Sequence, residues 1–534
     1  MRVACLIPLQ RSKYNDHEAE NERSFAIATL WNLTAMQQSA LAYKELGIDT
    51  LQEYVAFLQK DCHIVRSEGI EAQTRVALTY QNRSIVATVH VIHSDLLMCG
   101  EIGLSMSAQK ALAVQPGGEI FIGQAPALDS LSQMRAKIYG HRLDRNGFDA
   151  IMDDISRGRY ANIHIAAFLT AMAAHKANLK EVTDLTAAMV DVGEHLNWGI
   201  SPVADKHCVG GLPGNRTTPI IVAIVSACGL TMPKTSSRAI TSPAGTADVM
   251  EVVTPVNLPV EDMKRVVREK GGCFVWGGSL ALSPADDLMI RVSRPLELDS
   301  DAQLVASVLS KKIAAGATHV VIDIPVGPTA KVRTKEQADH LEQVLTHVAF
   351  ANGLNLRVIR TDGNAPVGRG IGPALEARDV LKVLRCEPDA PQDLRARALY
   401  LAAELLEFCQ VVPAGQGIQK AQYILESMTA WKQFEAICIA QGGFREPTIA
   451  PLQYVVRANQ TGIIKTIDNR RLSRLAKLLG APEAVTAGLD LHETLNAQVE
   501  LGQPIFTLHA QAEGELNYAK AYLESHPLYL IESQ

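Results

Sequence analysis

The spacing of hydrophobic residues changes along the chain, and the N-terminal part differs from the rest. Between residues 75 and 92, apolar and polar positions alternate in two runs with Asn82 at a turn between them, which predicts paired strands. Leu112–Gly123 continues this β-rich pattern. The spacing around Ala26–Leu46 instead predicts a helix. Residues 1–125 therefore predict a separate N-terminal module with a helical start and a β-rich remainder.

The next part of the chain has the periodicity of amphipathic helices. Apolar residues between Ile151 and Leu196 recur at helical spacing, which places them on one face of each helix. They predict a helical subdomain over residues 126–200, and we expect residues from about 285 to 315 to join it.

Short apolar runs and helical stretches then alternate. Thr318–Ile324 and Leu354–Ile359 have the composition of buried strands. Each is followed by a helical pattern, at Lys335–Phe350 and at Ala374–Leu384. This order predicts a mostly parallel α/β domain over residues 201–445.

The last part of the chain returns to short strands and turns. Tyr454–Thr466 and Ile505–His509 have strand patterns on either side of one predicted helix, Arg470–Leu479. Residues 446–534 therefore predict a small α+β C-terminal domain. The predicted fold class is α/β: a helical subdomain and a mostly parallel α/β domain, with a β-rich N-terminal module and this C-terminal domain.

Composition narrows the class of protein. Of the 534 residues, 47% are hydrophobic and 20% are charged, as in soluble globular proteins. The net charge of −6 gives no global reason to expect binding to nucleic acid or to an anionic membrane. Charged residues directly follow Met1–Gln10, which is not expected of a secretory signal. The nearest candidate for a membrane span, Pro219–Leu230, is too short and predicts a buried helix.

The cysteines are scattered rather than grouped. None of the nine forms a CxxC pair or has the Cys/His spacing typical of zinc sites. We therefore expect neither a disulfide framework nor a metal. A reducing cytoplasm is the simplest location for such a chain.

The most informative segment is a glycine-rich stretch that begins at Asp205. Lys206 and His207 precede Gly210-Gly211, so a cation lies next to backbone that a ligand can approach closely. Thr218 is expected to cap the helix that follows, and the free amides at a helix N-terminus favour an anion. The segment predicts a phosphate site, although a plain strand-to-helix turn would also explain its glycines.

A second loop, Lys234–Thr246, is dense in hydroxyl groups around Arg238. Serine and threonine hydroxyls donate hydrogen bonds to phosphate and accept them from sugar hydroxyls. Apolar sequence on both sides favours a loop between buried elements over a flexible surface loop. Two nucleotide-binding motifs are absent: the first loop lacks GxxxxGK[ST], and Gly368–Gly372 is not GxGxxG.

Four separated motifs carry a specific resemblance. They are DKHCVGG from Asp205, SSRAITSPAGTADVMEV from Ser236, WGGSLALSPADD over Trp276–Asp287, and KKIAAGATHVVIDIPVG over Lys311–Gly327. In this order they resemble the thymidine and pyrimidine-nucleoside phosphorylase family, and within it the branch that includes AMP phosphorylases and bacterial thymidine phosphorylases. The resemblance covers residues from about 70 to 530.

The resemblance implies phosphorolysis without a cofactor. Inorganic phosphate is the co-substrate, and the products are a free base and an α-sugar 1-phosphate. The family also implies a helical domain facing an α/β domain across a cleft, in a homodimer or larger homo-oligomer. The expected partners are therefore a small nucleoside and phosphate.

The resemblance also implies roles for individual residues. Phosphate-holding positions match Lys206, Thr218, Ser236 and Thr246. The ligand loop matches Gly211, Ser237, Arg238, Ala239, Ile240, Thr241 and Ser242. Base- or ligand-contacting positions match Ser307, Lys311 and Lys331, and Arg291 is the nearest match to a pyrimidine-contacting arginine, with Arg294 as its competitor.

The proton donor to the departing base has two candidates. Asp299 falls where the AMP-phosphorylase branch has its donor, and it would need a raised pKa to be protonated at neutral pH. His207 is the alternative donor. Asp299 also suits the N-cap of a helix starting near Ala302, so it could have a structural role instead of, or besides, a catalytic one.

One departure from the family concerns the phosphate loop. The family usually has serine after Lys-His, whereas this chain has Cys208, and a thiol is a weaker hydrogen-bond donor than a hydroxyl. This substitution predicts weaker phosphate binding.

The substrate is the most open point. The composition looks mesophilic, so thymidine or a related pyrimidine nucleoside is the preferred substrate, with AMP as the alternative. A phosphoribosyltransferase of the anthranilate type and a degenerate binding protein are further alternatives.

Overall fold

The computed structural model describes residues 39–67, 69–239, 242–296, 298 and 300–533. These residues form two compact units. One unit ends at Leu128 and also includes Arg157–Ala161. The other contains Asp129–Ser156 and the chain from Asn162 onward.

The first unit is a closed barrel with the strand order β1-β5-β2-β4-β3-β6. Its elements are β1 (Ser39–Ile48), β2 (Val55–Gln59), α1 (His63–Ser67), β3 (Arg75–Tyr80), β4 (Arg83–Ile92), β5 (Glu101–Ser105), α2 (Met106–Leu112) and β6 (Glu119–Gln124). Alternate side chains such as Leu41, Leu58 and Leu78 are buried inside it. The predicted hairpin around Asn82 is confirmed, because β3 pairs antiparallel with β4.

The helix predicted around Ala26–Leu46 is wrong from Ser39 onward, where the chain forms β1. This strand pairs with β5 and β6, and it buries Leu41 and Tyr43. Burial at every second residue is the period of a strand, so pairing inside the barrel overrides the helical propensity of the sequence. The earlier part of the prediction, before residue 39, lies outside the described residues.

The second unit begins with four helices. They are α3 (Leu131–Ile138), α4 (Arg145–Ser156), α5 (Asn162–Ala174) and α6 (Leu179–Asp191). α4 and α6 bury apolar faces, as the helical spacing predicted. The predicted face of α5 is wrong, because Ile163 is exposed and the helix buries Ile165, Phe168 and Leu169 instead. Asn178 caps α6 by accepting a hydrogen bond from the backbone amide of Glu181, whose side chain accepts one in return.

The α/β part of this unit alternates strands and helices. Its elements are β7 (Ala204–Cys208), α7 (Thr217–Ala227), β8 (Met232–Ser236), α8 (Thr246–Val253), α9 (Val260–Lys270), β9 (Gly272–Trp276), α10 (Pro284–Ser293), α11 (Asp301–Ala314), β10 (His319–Val326), α12 (Lys335–Ala351), β11 (Asn355–Asp362), β12 (Gly370–Ile371), α13 (Pro373–Leu384), α14 (Gln392–Phe408), α15 (Gly417–Glu426) and α16 (Thr429–Ala440). The helices α10 and α11 pack against α4, α5 and α6.

The strands of this part are parallel, as predicted. β10 lies between β7 and β11, and β8 pairs with β9. A bridge between Val203 and Thr231 connects the two groups of strands. The helix α7 is buried on all sides, which confirms the prediction for Pro219–Leu230. Parallel strands place their carboxyl ends, and the loops that follow them, at one edge.

The chain ends in an α+β arrangement. Its elements are β13 (Leu452–Arg457), β14 (Gly462–Ile467), α17 (Asn469–Leu478), β15 (Gly488–Leu491), β16 (Gln498–Val499), β17 (Pro504–Ala510), α18 (Glu513–Ser525) and β18 (Tyr529–Glu532). The sequence predicted one helix here, whereas α18 is a second one, which buries only Leu516 and Ala519. Such a small apolar face gives a weak periodic signal. No helix in the described ranges is long and apolar enough to cross a membrane.

Candidate active site

The first glycine-rich loop follows the carboxyl end of β7 and requires glycine at two positions. Gly211 and Gly214 have φ values of +84° and +71°, in the left-handed region that favours glycine. A Cβ atom on Gly211 would lie 2.3 Å from the backbone nitrogen of Lys331. A Cβ atom on Gly214 would lie 2.3 Å from the carbonyl oxygen of Val367. These glycines therefore permit a close approach of backbone to backbone.

The helix after this loop begins at Thr217, so the prediction that Thr218 is its N-cap is wrong. The cap position is Arg216, whose side chain does not cap the helix. Thr217 is buried and accepts a hydrogen bond of 2.9 Å from Lys206 Nζ. This contact accompanies the early start, because Thr217 already lies in the first turn of the helix. Thr218 itself is buried in that turn.

A buried group of charges lies beneath the loop. Lys206 is 1% exposed, and its Nζ lies 3.6 Å from Asp323 Oδ2. Asp205 lies one residue earlier on β7 and pairs with Lys234 and Lys312, each at 2.7 Å. The group, which we call the lysine network, contains three lysines and two aspartates. With every member ionised its net charge is positive, which favours an anion nearby.

The lysine network changes the protonation of its members. Burial lowers the pKa of Lys234 to about 7, although Asp205 opposes this. Burial alone would raise the pKa of Asp205, but Lys234 and Lys312 hold it below its ordinary value. An opposite charge at hydrogen-bond distance favours the ionised carboxylate.

His207 has the electrostatics of a neutral imidazole. Burial holds its pKa well below the ordinary value, and nearby lysines, Lys312 and Lys234 first among them, lower it further. A histidine whose pKa lies far below 7 does not carry the second ring proton at neutral pH. This argues against His207 as the acid that protonates the departing base.

Cys208 ends β7 beside the loop. Burial and the nearby Asp323 raise the pKa of its thiol to about 12. The side-chain amide of Asn215 donates to Cys208 Sγ at 3.5 Å. The residue that departs from the family pattern is therefore a neutral thiol next to the lysine network.

The second loop is closed by its own acidic residue. Asp248 Oδ2 accepts hydrogen bonds from the backbone amides of Ala239 at 2.6 Å and Gly245 at 2.8 Å. Ser236 ends β8, Ser237 is exposed, and Ser242 donates to the carbonyl oxygen of Ala244 at 2.9 Å. Ile240 and Thr241 lie outside the described residues. The carboxylate thus holds both ends of the loop.

The charge of Arg238 is already used within this loop. Its guanidinium binds Glu251 with two nitrogens and lies 3.3 Å from Asp248 Oδ1. It also lies 4.8 Å from the centre of the Trp276 ring. The hydrogen bond with Glu251 raises the pKa of Arg238. In this arrangement the arginine orders the loop, and its charge is offset before any ligand binds.

Arg216 joins the two loops, a role that the sequence analysis did not predict. Its guanidinium donates to Thr246 Oγ1 and to the carbonyl oxygen of Ala244, both at 2.8 Å. It also pairs with the buried Glu376 at 2.6 Å. The only sequence signal was an arginine between the glycine-rich loop and its helix, and its partners lie far away along the chain.

The base-contacting candidates meet at an aspartate. Ser307 Oγ donates to Asp286 Oδ2 at 2.7 Å, and Lys311 Nζ lies 2.6 Å from the same oxygen. Both side chains come from α11, one turn apart, as helical spacing brings together. Asp286 belongs to the Trp276–Asp287 motif, but no role for this residue was predicted from the sequence. We call Ser307, Lys311 and Asp286 the Asp286 cluster.

The remaining candidates are more dispersed. Arg291 on α10 donates to Asn162 Oδ1 at 3.3 Å. Lys331 is exposed and follows β10, where its backbone faces Gly211. Asp299 lies outside the described residues, and the N-cap of α11 is Ser300, not Asp299. Arg294 begins a short 3-10 turn at Arg294–Leu296.

Comparisons with family models match three parts of the chain. Residues 133–193 match the helical bundle domain of a glycosyl transferase family, and residues 201–430 match the a/b domain of that family. Residues 463–526 match the pyrimidine nucleoside phosphorylase C-terminal domain. A crystal structure of anthranilate phosphoribosyltransferase from Thermus thermophilus has a TM-score of 0.49 and 18% identity, covering 58% of this chain and 99% of that chain.

Curated relatives match nearly the whole chain. A protein of Cupriavidus necator, provisionally named thymidine phosphorylase 1, is 55% identical over 493 residues, which covers 92% of this chain and 95% of that protein. Provisionally named thymidine phosphorylases of Maricaulis maris and Ralstonia nicotianae are each 55% identical over 92% of this chain, and the matches cover 95% and 97% of those proteins. The chain therefore belongs to the thymidine and pyrimidine-nucleoside phosphorylase family.

Proposed function

We propose that the protein catalyses the phosphorolysis of thymidine, or of a related pyrimidine nucleoside, to the free base and deoxyribose 1-phosphate. The observation that carries this proposal is the joining of the two predicted ligand loops by Arg216 next to a buried lysine network of net positive charge. The names of the relatives from Cupriavidus necator and Maricaulis maris support the choice of nucleoside.

Phosphorolysis requires a site that binds phosphate in a fixed position and stabilises charge. A phosphate oxygen attacks the anomeric carbon of the sugar, and the bond from that carbon to the base nitrogen breaks. The electron pair leaves with the base, which then takes up a proton. Positioning of phosphate and stabilisation of charge provide most of the acceleration in such a reaction. Lys206 and the amides of the first loop are the groups that we assign to phosphate.

The choice between the two candidate proton donors rests on two arguments. The lowered pKa of His207 argues against an imidazolium acid. The resemblance assigns the role to Asp299, whose carboxyl group would have to be protonated at neutral pH. We therefore propose Asp299 as the donor. Asp299→Asn should lower kcat for thymidine more than for an activated deoxyriboside whose leaving group needs no protonation, such as 4-nitrophenyl deoxyriboside, and equal losses would contradict this assignment.

Dependence on inorganic phosphate tests the reaction class. Release of thymine from thymidine should require phosphate and should continue in the presence of a metal chelator, because none of the proposed steps uses a metal. Base release without phosphate would indicate a hydrolase. Strict dependence on magnesium together with a pyrophosphorylated sugar would instead favour a phosphoribosyltransferase.

AMP remains the alternative substrate because a lysine lies at the first loop. Lys331 is exposed, and its backbone lies against Gly211. An enzyme for AMP must bind a second phosphate group, for which a lysine is suited. If AMP is the substrate, Lys331→Ala should cost about 1.5–3 kcal/mol in kcat/KM for AMP and much less for adenosine.

If thymidine is the substrate, the same variant should change kcat/KM for thymidine very little. The decisive measurement compares thymidine, uridine, AMP, adenosine and CMP on both proteins. Fast turnover of AMP with negligible turnover of thymidine by the unmodified protein would overturn the preferred assignment.

We also propose a cytoplasmic homodimer or larger homo-oligomer. The eight cysteines in the described ranges are free thiols, which is compatible with a reducing compartment. Light scattering on the purified protein would test the assembly, and a monomeric mass with full activity would contradict it.

A further inference from the structure

Three potential metal ligands come together in the N-terminal barrel, which belongs to a different unit from the residues assigned above to phosphorolysis. They are Cys62, His63 and Cys99, whose ligand atoms all lie within 4.8 Å of one another. Cys62 is buried, whereas His63 and Cys99 are exposed. The spacing of these residues along the chain is not typical of zinc sites, so no metal was expected from the sequence.

Strand pairing explains why the three residues meet. β2 and β5 are antiparallel neighbours, with Leu58 opposite Ile102. The segment that follows β2 therefore lies beside the segment that precedes β5. Cys62 and His63 belong to the first segment and Cys99 to the second. The fold thus creates a proximity that the linear spacing does not reveal.

Both segments are held by hydrogen bonds that do not involve the ligand atoms. The amide of Glu101 donates to the carbonyl of Met98 at 3.1 Å, and the amide of Met98 donates to Glu101 Oε2 at 2.8 Å. Cys99 lies inside this closed turn. On the other side, the amide of Cys62 donates to the carbonyl of Gln59 at 3.0 Å. The backbone that carries Cys62 and Cys99 is therefore held in place, which lowers the entropic cost of binding.

We propose that Cys62, His63 and Cys99 form a binding site for one thiophilic transition-metal ion, with Zn²⁺ as the expected occupant. Two thiolates and one imidazole are ligands typical of Zn²⁺, and a water molecule would fill the fourth position. Tetrahedral bonds of about 2.3 Å to sulfur and about 2.0 Å to nitrogen place the ligand atoms about 3.5–3.8 Å apart. The three side chains need to approach by only about 1 Å.

Binding has a definite proton balance and a structural role. The two thiols release their protons to solvent, and the imidazole binds through a neutral ring nitrogen. The ion then cross-links the segment after β2 to the segment before β5, so we expect it to stabilise the barrel. The three ligands belong to the first unit, and the residues assigned to phosphorolysis belong to the second.

Cobalt binding to the full-length, reduced and chelator-treated protein tests the proposal. Co²⁺ should bind one to one, with a thiolate-to-cobalt charge-transfer band in the near ultraviolet and visible bands typical of four-coordinate cobalt. Stoichiometric Zn²⁺ should abolish these bands and raise the midpoint of thermal unfolding. Absence of binding by the reduced protein would overturn the proposal. Isolation of the protein with a Cys62–Cys99 disulfide would also overturn it.

Matched variants identify the ligands. Cys99→Ser should remove most of the charge-transfer band. His63→Ala should weaken Zn²⁺ binding by at least about 10-fold, because loss of a residue that merely supports a metal ligand already weakens binding by that factor. Cys386→Ser is the control, because Cys386 is an exposed thiol in the other unit. Equal spectra for Cys99→Ser and Cys386→Ser would contradict the assignment. His63 and Cys99 are both exposed. A cooperative thermal unfolding transition of each metal-free variant would verify that the variant is folded.

Discussion

The lysine network and the Asp286 cluster use adjacent residues of one helix in different environments. Lys312 is 5% exposed and pairs with a buried aspartate beneath the first loop. Its neighbour Lys311 is 26% exposed and pairs with Asp286. Both carboxylates are buried, so either pair is costly to break, but Asp205 pairs with two lysines whereas the cation at Asp286 is Lys311. We infer that the phosphate end is set before substrate arrives, whereas the exposed part of Lys311 leaves the Asp286 cluster accessible to a ligand.

The strongest test of a preset phosphate end is Arg216→Ala. It leaves the carboxylate of Glu376 buried without its cation, and breaking such a pair costs about 3–5 kcal/mol. We expect this loss in the free energy of unfolding measured by urea denaturation, together with a large loss of kcat/KM. Arg265→Ala, which breaks an exposed pair with Asp262, is the control and should cost less than about 1 kcal/mol.

The pH dependence of this variant has a definite sign. Burial already raises the pKa of Glu376, although Arg216 opposes this, so removal of the arginine raises it further. A carboxyl group whose pKa is higher in the folded state stabilises the folded chain below its unfolded pKa of about 4.3, and that stability is lost as the pH rises through the folded value. The defect should therefore grow with pH. Glu376→Gln in the same chain should relieve it, and a pH-independent defect would contradict this account.

The adjacent lysines give the direct comparison. Lys312→Met should lower the free energy of unfolding by about 1.5–3 kcal/mol, the range for a hydrogen bond to a charged group, because Asp205 keeps only Lys234. Lys311→Met should destabilise the chain at least as much, because it removes the cation that pairs with the fully buried Asp286. It should also raise the KM for nucleoside, with the phosphate KM unchanged. Urea denaturation and steady-state kinetics on both variants measure these effects. A smaller loss of stability for Lys311→Met than for Lys312→Met would contradict this comparison.

A third test uses the titration of the lysine network. The pKa of Lys234 is lowered to about 7, so the network loses positive charge as the pH rises above that value. The phosphate KM should rise by up to about 10-fold per pH unit between roughly pH 7 and 9, the limit for loss of one proton. Lys234→Met should show a flatter profile over the same range. Identical slopes for the two proteins would show that Lys234 does not control phosphate binding.

The smallest expected effect is that of Cys208→Ser. A hydroxyl in place of the thiol adds a stronger hydrogen-bond donor beside the network, worth about 0.5–1.5 kcal/mol net. The phosphate KM should fall, and the nucleoside KM should stay constant. An unchanged or higher phosphate KM would mean that this side chain does not face the anion.

Local patterns predicted the parts of the molecule that depend on local sequence. The alternation around Asn82, the apolar helix α7 and the parallel strands β10 and β11 were all predicted from periodicity. These features follow from neighbours along the chain. Ser307 and Lys311, in contrast, were identified through the family resemblance and not through periodicity, and α11 brings both to Asp286.

Contacts between distant segments could not be predicted in the same way. No local signal connects Arg216 with Thr246, or Asp205 with Lys312. The strand β1 was misassigned because its pairing partners come from β5 and β6. Such contacts depend on the order of strands and on loop geometry, which a single sequence does not specify.

The contact between Gly211 and Lys331 affects attempts to change the substrate by directed evolution. The space where a side chain on Gly211 would stand is filled by the backbone of Lys331. Randomising Gly211 would therefore yield mostly misfolded loops rather than new pockets. The side chain of Lys331 is exposed, so we expect its variation to disturb the fold less than variation of Gly211. We therefore expect a mutant library to retain more folded protein if it keeps Gly211 and varies Lys331. Such a library is the better choice for changing the substrate.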